Sequence, residues 1–452
     1  MDSSVEYSVD GKSSSSSSDM SEIISAIEFV DPVCDPSNPR LIKFSDISTA
    51  AFNIRNGIAR TPTVKSNRLS SMFGMELFLK KEHLQATGSF KERGARFALL
   101  RLKPQEREIG VVAASAGNHA LALALHGQSL EIPVTVVMPE FAPLMKISSC
   151  QTYGANVILH GKDIQKDSNI SMDLVCFYSS KNKIVLFYIL DNPDVIAGQG
   201  TIGLEILEQV DNLDAVIIPV GGGGLIAGIA LALKTLKPEI QIIGVESDVC
   251  PSFRNAMVHK EEVMHPESSL ADGLAVPTVG YNALKIADGL IDHLVSVCEE
   301  SIALAILRLI EIEKSVVEGA GAVGLAAILS GKVDFLKGKR VVTILTGGNI
   351  DTTVLGRTIE RGLAVDGRLI KFDVVVSDRP GGIAELTTHI ARAGASIKDM
   401  FHERAWLAGN VFSVSVRVVA ETRGHEHVKE LQELLSNKYA QVSFPNVRTI
   451  EN

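Results

Sequence analysis

The sequence predicts an α/β fold built on buried, mainly parallel sheets, followed by a smaller α+β unit. From about Leu41 to Leu355, short apolar runs alternate with helical patterns, as in "GVVAAS" before "GNHALALALHGQ" and "DAVIIPV" before "GGGGLIAGIALALKTL". Strands that are apolar on both faces are typical of parallel sheets covered by helices. The last part of the chain changes to strict alternation, as in "NVFSVSVRVV", which is typical of a half-buried strand.

The composition indicates a packed enzyme rather than a nucleic-acid-binding protein. The 452 residues are 46% hydrophobic and 21% charged, which is ordinary for an α/β enzyme of two or three domains. The net charge is −9 and the 44 basic residues are spread thinly, so we expect no binding to nucleic acid. The five cysteines lie far apart without CxxC spacing, which favours a reducing compartment and argues against disulfides or zinc.

The N-terminus and the most apolar stretch of the chain predict a cytoplasmic protein. The N-terminus lacks the apolar core of a signal peptide and the arginines of a transit peptide. Residues 215–233 carry no charge and are long enough to span a bilayer, but they contain four consecutive glycines and a proline. The sequence therefore predicts a buried strand, a turn and a buried helix there, and no membrane partner.

Changes in composition divide the chain into four parts. Residues 1–39 contain "KSSSSSSD" and are predicted to be a disordered tail with nothing to bury. The main body covers 40–358, with a smaller lobe at about 77–190. A linker at 359–370 precedes the small unit at 371–446.

The small unit has the predicted order βαββαβ. Its first strand and tight loop precede a helix whose apolar stripe is Ile383, Leu386 and Ile390. One face of the alternating strand carries Phe412, Val414, Val416 and Val418. A second helix follows with Val428, Leu431 and Leu435 on one side, and a last strand is expected near 440–444.

Residues 166–190 break the rhythm of strands and helices. This stretch has few good helix formers and contains the aromatic pairs Phe177–Tyr178 and Phe187–Tyr188 close together in the sequence. Two strands, or a wrongly translated segment of the gene, are the two interpretations. The chemical groups described below all lie outside it, so it bears on folding of the smaller lobe more than on the chemistry.

Four short motifs lie at strand-to-helix turns, where open α/β sheets bind ligands. "TGSFKERGA" places Lys91 at the start of a helix, and "ASAGNHA" opens a helix at Asn118, where amide groups bind carboxylates. The glycines at 221–224 allow the main chain to close on a phosphate. "LTGGN", with Thr346, follows another apolar strand.

Taken singly, each motif has an ordinary structural explanation. Ser89 can be the N-cap of an amphipathic helix that turns Phe90, Phe97 and Leu100 inward, and a glycine turn is usually only a turn. Together the motifs supply a lysine, a phosphate cradle, an amide and a hydroxyl, which are the groups needed to hold pyridoxal phosphate. The absence of GxGxxG with a downstream acid argues against a dinucleotide oxidoreductase.

The chain resembles the threonine dehydratase and serine racemase group of pyridoxal-phosphate enzymes, which share the two-lobed fold type II of the tryptophan synthase β-subunit. The resemblance covers about Leu41 to Arg357 and includes, in order, "TGSFKERGA", "SAGNHA", "MPEFAPLMK", "DNPDVIAGQGTIGLEI", "GGGGL", "ADGLAV", "VVEGAGAV" and "LTGGNID". Through "DRPGGIAEL" and "GASI", the C-terminal unit resembles an ACT regulatory domain, which has a ferredoxin-like fold.

The resemblance implies a role for each cofactor-binding residue. Lys91 forms the Schiff base with the cofactor and moves the α-proton, which requires a partly desolvated amine. Phe90 lines the cofactor ring. The alternative is that Phe90 contributes only to packing of the hydrophobic core. Asn118 binds the ring hydroxyl. The phosphate is held by Gly221, Gly222, Gly223, Gly224 and the amide of Leu225.

Thr346 aligns with the residue that faces the pyridine nitrogen. An aspartate there would keep this nitrogen protonated and favour transamination. A neutral hydroxyl gives a shallower electron sink, so that charge at the α-carbon is better discharged by expelling a β-substituent. The predicted reaction is therefore β-elimination of water, followed by hydrolysis to a 2-oxo acid and ammonia.

The turn before the Asn118 helix is the expected binding site of the substrate carboxylate. Its residues are Ser115, Ala116, Gly117, Asn118 and His119. For His119, a mainly structural role is expected, and contact with the substrate is the alternative. In serine racemases the position of Ala116 carries a second serine that serves as acid and base. Alanine cannot exchange a proton, which favours an ammonia-lyase over a racemase.

Three acidic residues receive no catalytic role from the sequence. Some racemase-like relatives bind a divalent cation near "GVESDVCPS", where Glu246 is one candidate ligand. Ser252 stands where a second carboxylate is expected, and two oxygen contacts are too few, so we expect no metal. Asp272 and Glu318 are expected either to be structural or to support the residues that contact the ligands.

The expected function is ammonia-lyase activity on L-threonine, giving 2-oxobutanoate, and on L-serine, giving pyruvate. An amino-acid effector is expected near residues 378–382, for which a solvated loop is the alternative. ACT domains commonly pair, so a homodimer or homotetramer is expected. A serine racemase is the first alternative function, and a catalytically inactive amino-acid sensor is the second.

Overall fold

The computed structural model describes most of the chain. The described ranges are 34–140, 142–160, 185–186, 191–259, 268–405, 407 and 411–444. The predicted tail lies outside them apart from its last six residues, and the irregular stretch lies outside them apart from one two-residue strand.

The elements are numbered in chain order. The strands are β1 (Thr63–Lys65), β2 (Glu76–Lys80), β3 (Val111–Ala114), β4 (Val134–Met138), β5 (Asn156–Leu159), β6 (Val185–Leu186), β7 (Ala215–Pro219), β8 (Gln241–Ser247), β9 (His293–Val297), β10 (Arg340–Ile344), β11 (Leu369–Ser377), β12 (Ser396–Glu403), β13 (Ser413–Glu421) and β14 (Val442–Ser443). The α-helices are α1 (Phe44–Ile54), α2 (Asn67–Phe73), α3 (Lys91–Arg101), α4 (Pro104–Ile109), α5 (Asn118–Leu130), α6 (Leu144–Thr152), α7 (Pro193–Gln209), α8 (Gly224–Leu236), α9 (Ser252–His259), α10 (Tyr281–Ala287), α11 (Glu299–Glu313), α12 (Gly319–Leu329), α13 (Thr352–Val365), α14 (Gly382–Arg392) and α15 (His425–Lys438).

The main body contains a six-stranded sheet in the order β1-β2-β10-β7-β8-β9. All neighbouring strands are parallel except β1, which runs antiparallel to β2. Successive side chains of β7 enter opposite cores, since Val216 packs with helices α1, α7 and α8 and Ile217 packs with α11 and α12. The predicted parallel sheet, buried on both faces, is therefore confirmed.

The smaller lobe has its own parallel sheet in the order β5-β4-β3-β6, with a separate core that includes residues of α3 and α5. The predicted start of this lobe near residue 77 is wrong, because it falls inside β2, which pairs with β10 of the large sheet. An apolar strand signal does not tell which of two parallel sheets the strand joins. Both predicted lobes with parallel strands are present, but the smaller lobe begins after β2 rather than near residue 77.

Glycines bring the helices that carry the candidate site unusually close together. A Cβ atom on Gly198 of α7 would lie 2.6 Å from the Cα of Gly94 in α3. A Cβ on Gly228 of α8 would lie 2.4 Å from the carbonyl oxygen of Ile196 in α7. Since real Cβ atoms do not approach so closely, α7 fixes both the helix that starts at the candidate lysine and the helix that follows the glycine turn.

The C-terminal unit is a four-stranded antiparallel sheet in the order β12-β13-β11-β14, and its elements follow the predicted βαββαβ order. Its core contains the predicted apolar residues of β13, α14 and α15. Phe412 is the exception. It precedes β13 and is 63% exposed, because the strand begins one residue later, at Ser413.

The predicted linker at 359–370 is also wrong. Helix α13 begins after Asp351, whose carboxylate accepts from the backbone N–H groups of Thr353 and Val354, and it continues through Val365. A Cβ on Gly362 would lie 2.9 Å from the carbonyl oxygen of Ala303, so α13 packs tightly on α11. Only three residues then separate it from β11.

The uncharged stretch at 215–233 forms β7, the glycine turn and part of α8, as predicted. Within the described ranges, every helix is too short or too polar to traverse a lipid bilayer.

Candidate active site

The loop before Lys91 is attached to the turn that follows β10. The Phe90 amide donates to the carbonyl oxygen of Thr346 at 3.0 Å, and Ser89 forms a backbone bridge with Gly347. Ser89 is not the N-cap of α3, which is Phe90, and within the described residues its buried hydroxyl has no hydrogen-bond partner. The alternative interpretation of Ser89 is therefore wrong, because this loop is held by backbone pairing.

Lys91 lies in a partly desolvated position. Its Nζ is 5.1 Å from the centre of the Phe90 ring. Burial lowers the pKa of the amine to about 8, and the carboxylate of Glu318 opposes this shift. A sizeable fraction of the amine is therefore neutral near physiological pH, as a nucleophile and proton carrier requires.

His119 is a buried, uncharged neighbour of Lys91. Burial, and then the charge of Lys91, lower the pKa of the imidazole to about 3. Within the described part of the chain, neither ring nitrogen has a hydrogen-bond partner. The imidazole therefore offers a neutral polar group at the site.

The turn between β3 and α5 leads into a helix start that has no side-chain cap. Ser115, Ala116 and Gly117 are half-buried, and the Gly117 amide is 3.3 Å from the Ser115 hydroxyl oxygen. Gly117 is the N-cap of α5 and makes no side-chain cap, so the first amides of this helix can receive an anion. This geometry suits the carboxylate of an amino acid.

Asn118, the first residue of α5, is held at both ends of its amide group. Its Nδ2 donates to Oε1 of Glu318 at 2.8 Å, and its Oδ1 accepts from Nδ2 of Asn349 at 2.9 Å. The same Nδ2 of Asn349 lies 2.6 Å from the carbonyl oxygen of Thr87. These contacts join three of the four predicted motifs.

The glycine turn forms a cradle at the N-terminus of α8. Gly223 has a φ of +91°, and a Cβ there would lie 2.5 Å from Cε2 of Phe253. A Cβ on Gly221 would lie 3.0 Å from the Cα of Leu274, and the Gly222 carbonyl oxygen accepts from the Gly280 amide at 3.0 Å. No side chain caps α8, so its first amides remain available. The turn therefore fits a phosphate group.

Sheet topology brings the cradle and the lysine loop together. Strands β2, β10 and β7 are parallel neighbours, so the segments after their carboxyl ends lie at one edge of the sheet. These segments carry Lys91, the nearly buried Thr346, and the turn from Gly221 to Leu225. A reactive amine, a hydroxyl-bearing turn and a phosphate cradle at one edge fit pyridoxal phosphate.

Two residues of the site were missed by the sequence analysis. Glu318 was expected to be structural or to support ligand-binding residues, with no specific partner, and Asn349 was seen only as part of a glycine turn. Glu318 is 7% exposed, and burial and then Asp272 raise the pKa of its carboxyl to about 7. An acidic residue directly before the small residues of "GAGAVG" is the sequence signal that could have drawn attention to it.

Glu246 serves as a cap for α9. Its carboxylate accepts from the backbone amides of Phe253 at 2.7 Å and Arg254 at 3.1 Å, while the Ser252 hydroxyl lies 3.1 Å from the sulfur of Cys250. Among the described residues, no three His, Cys, Asp or Glu side chains are grouped to hold a metal ion.

Known proteins resemble this chain over most of its length. The family model "Pyridoxal-phosphate dependent enzyme" matches residues 54–347. An L-threonine ammonia-lyase of Thermotoga maritima is 41% identical over 399 residues, which make up 88% of this chain and 98% of that relative.

Two solved structures have the same fold. Maize serine racemase gives a TM-score of 0.66 at 32% identity and covers 72% of this chain and 99% of its own. The processed form of threonine deaminase isoform 2 from Solanum lycopersicum gives a TM-score of 0.66 at 33% identity, with 72% and 90% covered. The family model spans more than half of the chain, and this protein therefore belongs to the family of pyridoxal-phosphate dependent enzymes.

Proposed function

We propose that this enzyme converts L-threonine to 2-oxobutanoate and ammonia, and L-serine to pyruvate and ammonia, by β-elimination. The proposal is carried by one observation: a partly desolvated lysine, an uncapped helix start and a glycine cradle lie together in a chain 41% identical to an L-threonine ammonia-lyase. Water leaves the substrate in the elimination and is taken up again in the hydrolysis, so the reaction needs no oxidant or reductant.

The proposed cofactor contacts follow the motifs. Lys91 holds the aldehyde carbon and Phe90 lies beside the ring. Asn118 donates to the ring oxygen and Thr346 faces the pyridine nitrogen. The phosphate is held by the amides of Gly221, Gly222, Gly223, Gly224 and Leu225.

The proposed reaction requires residues that orient the substrate carboxylate and a residue that removes the α-proton. When bound, pyridoxal phosphate supplies the electron sink for charge that develops at the α-carbon. The amides at the start of α5, with Ser115 and Gly117, orient the substrate carboxylate. The neutral amine of Lys91 takes the α-proton. Thr346 carries no charge, so it does not strengthen the sink as an aspartate would.

A serine racemase is the second candidate, because a structure of that name has the same fold. Ala116 argues against it, since alanine offers no proton on the face opposite Lys91.

We expect the protein to form 2-oxobutanoate from L-threonine and pyruvate from L-serine, with negligible D-serine in chiral chromatography. The Ala116→Ser variant should raise D-serine formation at least about tenfold, because one proton-transfer group contributes roughly 10²–10⁴ in rate. If the protein bound pyridoxal phosphate but formed no 2-oxo acid from either L-threonine or L-serine, the assignment as a lyase would be wrong.

The C-terminal unit is proposed to be an ACT-like regulatory domain that begins at Leu369. A 399-residue match in a chain of 452 extends into this unit, so the ammonia-lyase of Thermotoga maritima shares part of it. Asp378, in the loop before α14, makes a bidentate ion pair with Arg404 at 2.7 and 2.8 Å. This loop, at 378–382, is the proposed site of an amino-acid effector.

Charged contacts offer a route between this unit and the main body. Arg308 of α11 pairs with Glu311 and with Asp366 after α13. Arg368, directly before β11, pairs with the same two carboxylates at 2.6 and 2.7 Å. An effector that moves β11 would therefore act on α11. The catalytically inactive sensor is the less favoured alternative, since it leaves the complete set of cofactor contacts without a use.

The exposed edge strand β12 is the proposed contact between two copies, in a homodimer or homotetramer. It pairs on one side with β13, and Met400 and Phe401 are 40% and 59% exposed. We expect Phe401→Lys to dissociate the assembly, from dimer to monomer or from tetramer to dimer, and so to lower the sedimentation coefficient, because a charge on an edge strand opposes strand pairing. Thr388→Lys adds the same charge to an exposed position of α14 and should leave the assembly unchanged. Equal behaviour of the two variants would argue against the β12 contact.

The cytoplasm is the proposed location, because the spacing of the cysteines favours a reducing compartment.

A further inference from the structure

The carboxylate of Glu318 is a buried group that the proposed reaction leaves unused. Glu318 directly precedes α12 and lies against the turn after β10, where a Cβ on Gly347 would come within 2.3 Å of Oε1. The same oxygen accepts from Nδ2 of Asn118 at 2.8 Å. Its position is therefore tightly limited on one side by backbone and on the other by the asparagine.

The two contacts of Asn118 fix which way its amide faces. Oδ1 accepts from the Asn349 amide at 2.9 Å, and a carboxylate can only receive a hydrogen from Nδ2. One Nδ2 hydrogen is thus committed to Glu318 and one remains for a ligand. Without Glu318, rotation by 180° about the last bond of the side chain would be opposed only at Oδ1.

The hydrogen bonds of Asn118 to Glu318 and Asn349 also connect the two lobes. Asn118 begins α5 of the smaller lobe, whereas Glu318 and Asn349 follow elements of the large one. A hydrogen bond to a carboxylate is stronger than one between neutral groups. Burial raises the pKa of Glu318 to about 7, and the Asn118 side chain and the Asn349 backbone amide favour its ionised form.

We propose that Glu318 is a positioning residue that acts on the cofactor through Asn118, by holding the Asn118 amide with one Nδ2 hydrogen directed at the cofactor's ring oxygen. This inference rests on the proposed contact between Asn118 and pyridoxal phosphate. It gives Glu318 a role in cofactor binding that requires no proton transfer by Glu318 itself.

A double-mutant cycle on cofactor affinity tests the proposal. The apoenzymes of the wild type, Asn118→Ala, Glu318→Met and the double variant are titrated with pyridoxal phosphate, and dissociation constants are read from absorbance. Methionine fills the space of glutamate without accepting a hydrogen bond. Each single variant should weaken binding about tenfold or more, as expected for a lost bond to a charged group, and the double variant should be no weaker than Asn118→Ala.

A matched control and a second variant keep the result interpretable. Asp272→Asn removes a nearby carboxylate that raises the pKa of Glu318, and it should leave the dissociation constant unchanged within about twofold. If Glu318→Met does not fold, as judged from thermal unfolding of the apoenzyme, Glu318→Gln takes its place: a neutral acceptor of the same size makes a weaker hydrogen bond to Asn118, so binding should weaken several-fold, and combining it with Asn118→Ala should add no further loss.

The possible outcomes separate the two proposals. Effects of Glu318→Met and Asn118→Ala that multiply in the double variant would overturn the positioning role. An unchanged constant for Glu318→Met, with a weakened one for Asn118→Ala, would overturn it as well. An unchanged constant for Asn118→Ala would instead remove the proposed contact between Asn118 and the cofactor, and the positioning role with it.

Discussion

Replacing Lys91 by alanine is expected to abolish both the visible absorbance of the lysine-bound cofactor and the formation of 2-oxo acid from L-threonine. The amine follows a loop that is joined by backbone pairing to the Thr346 turn, and burial brings its pKa to about 8. The variant loses the covalent attachment and the proton carrier together. We expect the turnover rate to fall by roughly four orders of magnitude or more.

The measurement combines an absorbance spectrum of the reconstituted protein with a coupled assay of 2-oxobutanoate. Lys103→Ala is the matched control, because the Lys103 side chain is 77% exposed and, among the described residues, its one ion pair is with Glu106, at 3.5 Å. That variant should retain both the spectrum and the turnover of the wild type. An unaltered cofactor spectrum in Lys91→Ala would contradict the assignment of the reactive amine.

The parts of the site that the sequence predicts are those encoded by local signals. A turn after an apolar strand is visible in a few residues, and parallel strands place the segments after them at one edge. This is why the positions of Lys91, Asn118 and the glycines at 221–224 were predictable before any geometry was known. Their roles toward the cofactor came from the resemblance rather than from spacing.

Glu318 shows what local signals do not contain. Its partner Asn118 is 200 positions away in the chain, and nothing near either residue indicates the other. Asn349 is similar, since its amide joins Thr87 and Asn118 from two different loops. Such contacts depend on how two lobes close on each other. An isolated acidic residue beside glycines is compatible with many environments.

The errors in the domain boundaries have the same origin. Residues 359–365 belong to a helix whose stability depends on packing against α11, and the sequence gives no sign of that partner. Phe412 extends the alternating pattern to one residue before β13, but its side chain is 63% exposed. Patterns identify the interior of an element, whereas its ends are set by contacts.

A second large effect is expected from the buried charge cluster at the base of α3. The guanidinium of Arg93 is fully buried and makes two bonds of 2.8 Å to Glu82. It also bonds Glu205 at 2.7 and 2.9 Å, while Lys80 bonds Glu205 at 2.6 Å. Burial is the largest effect and raises the pKa of the Glu82 carboxyl, but the charge and hydrogen bonds of Arg93, the charge of Lys80 and the hydrogen bond from Thr61 together outweigh it and hold the pKa below its ordinary value.

Arg93→Met is expected to lower the free energy of unfolding by about 3–5 kcal/mol at pH 7 in urea titrations of the apoenzyme. The variant leaves Glu82 buried with Lys80 as its nearest cation, and their 4.0 Å separation is too long for a hydrogen bond. In the wild type, the lowered pKa of Glu82 contributes stability above the ordinary carboxyl pKa, and this contribution disappears as the pH falls. In the variant the lowering effect of Arg93 is lost, although the charge of Lys80 and the hydrogen bond from Thr61 remain, so the pKa of Glu82 is higher than in the wild type and its carboxylate is protonated more readily as the pH falls. The loss of stability should therefore be smaller at pH 4 than at pH 7.

Arg101→Met is the matched control, because it makes the same change on the same helix at a position whose side chain is 59% exposed. Arg101 lies 3.5 Å from Asp194, and an exposed pair of this kind contributes about 0–1 kcal/mol. Equal losses in the two variants would mean that the general effect of methionine on α3 explains the result. A loss in Arg93→Met that does not change between pH 4 and pH 7 would show that lost packing, rather than an unpaired Glu82, causes it. Because Lys91 begins the helix two residues before Arg93, the expected result also predicts weaker cofactor retention in Arg93→Met than in Arg101→Met.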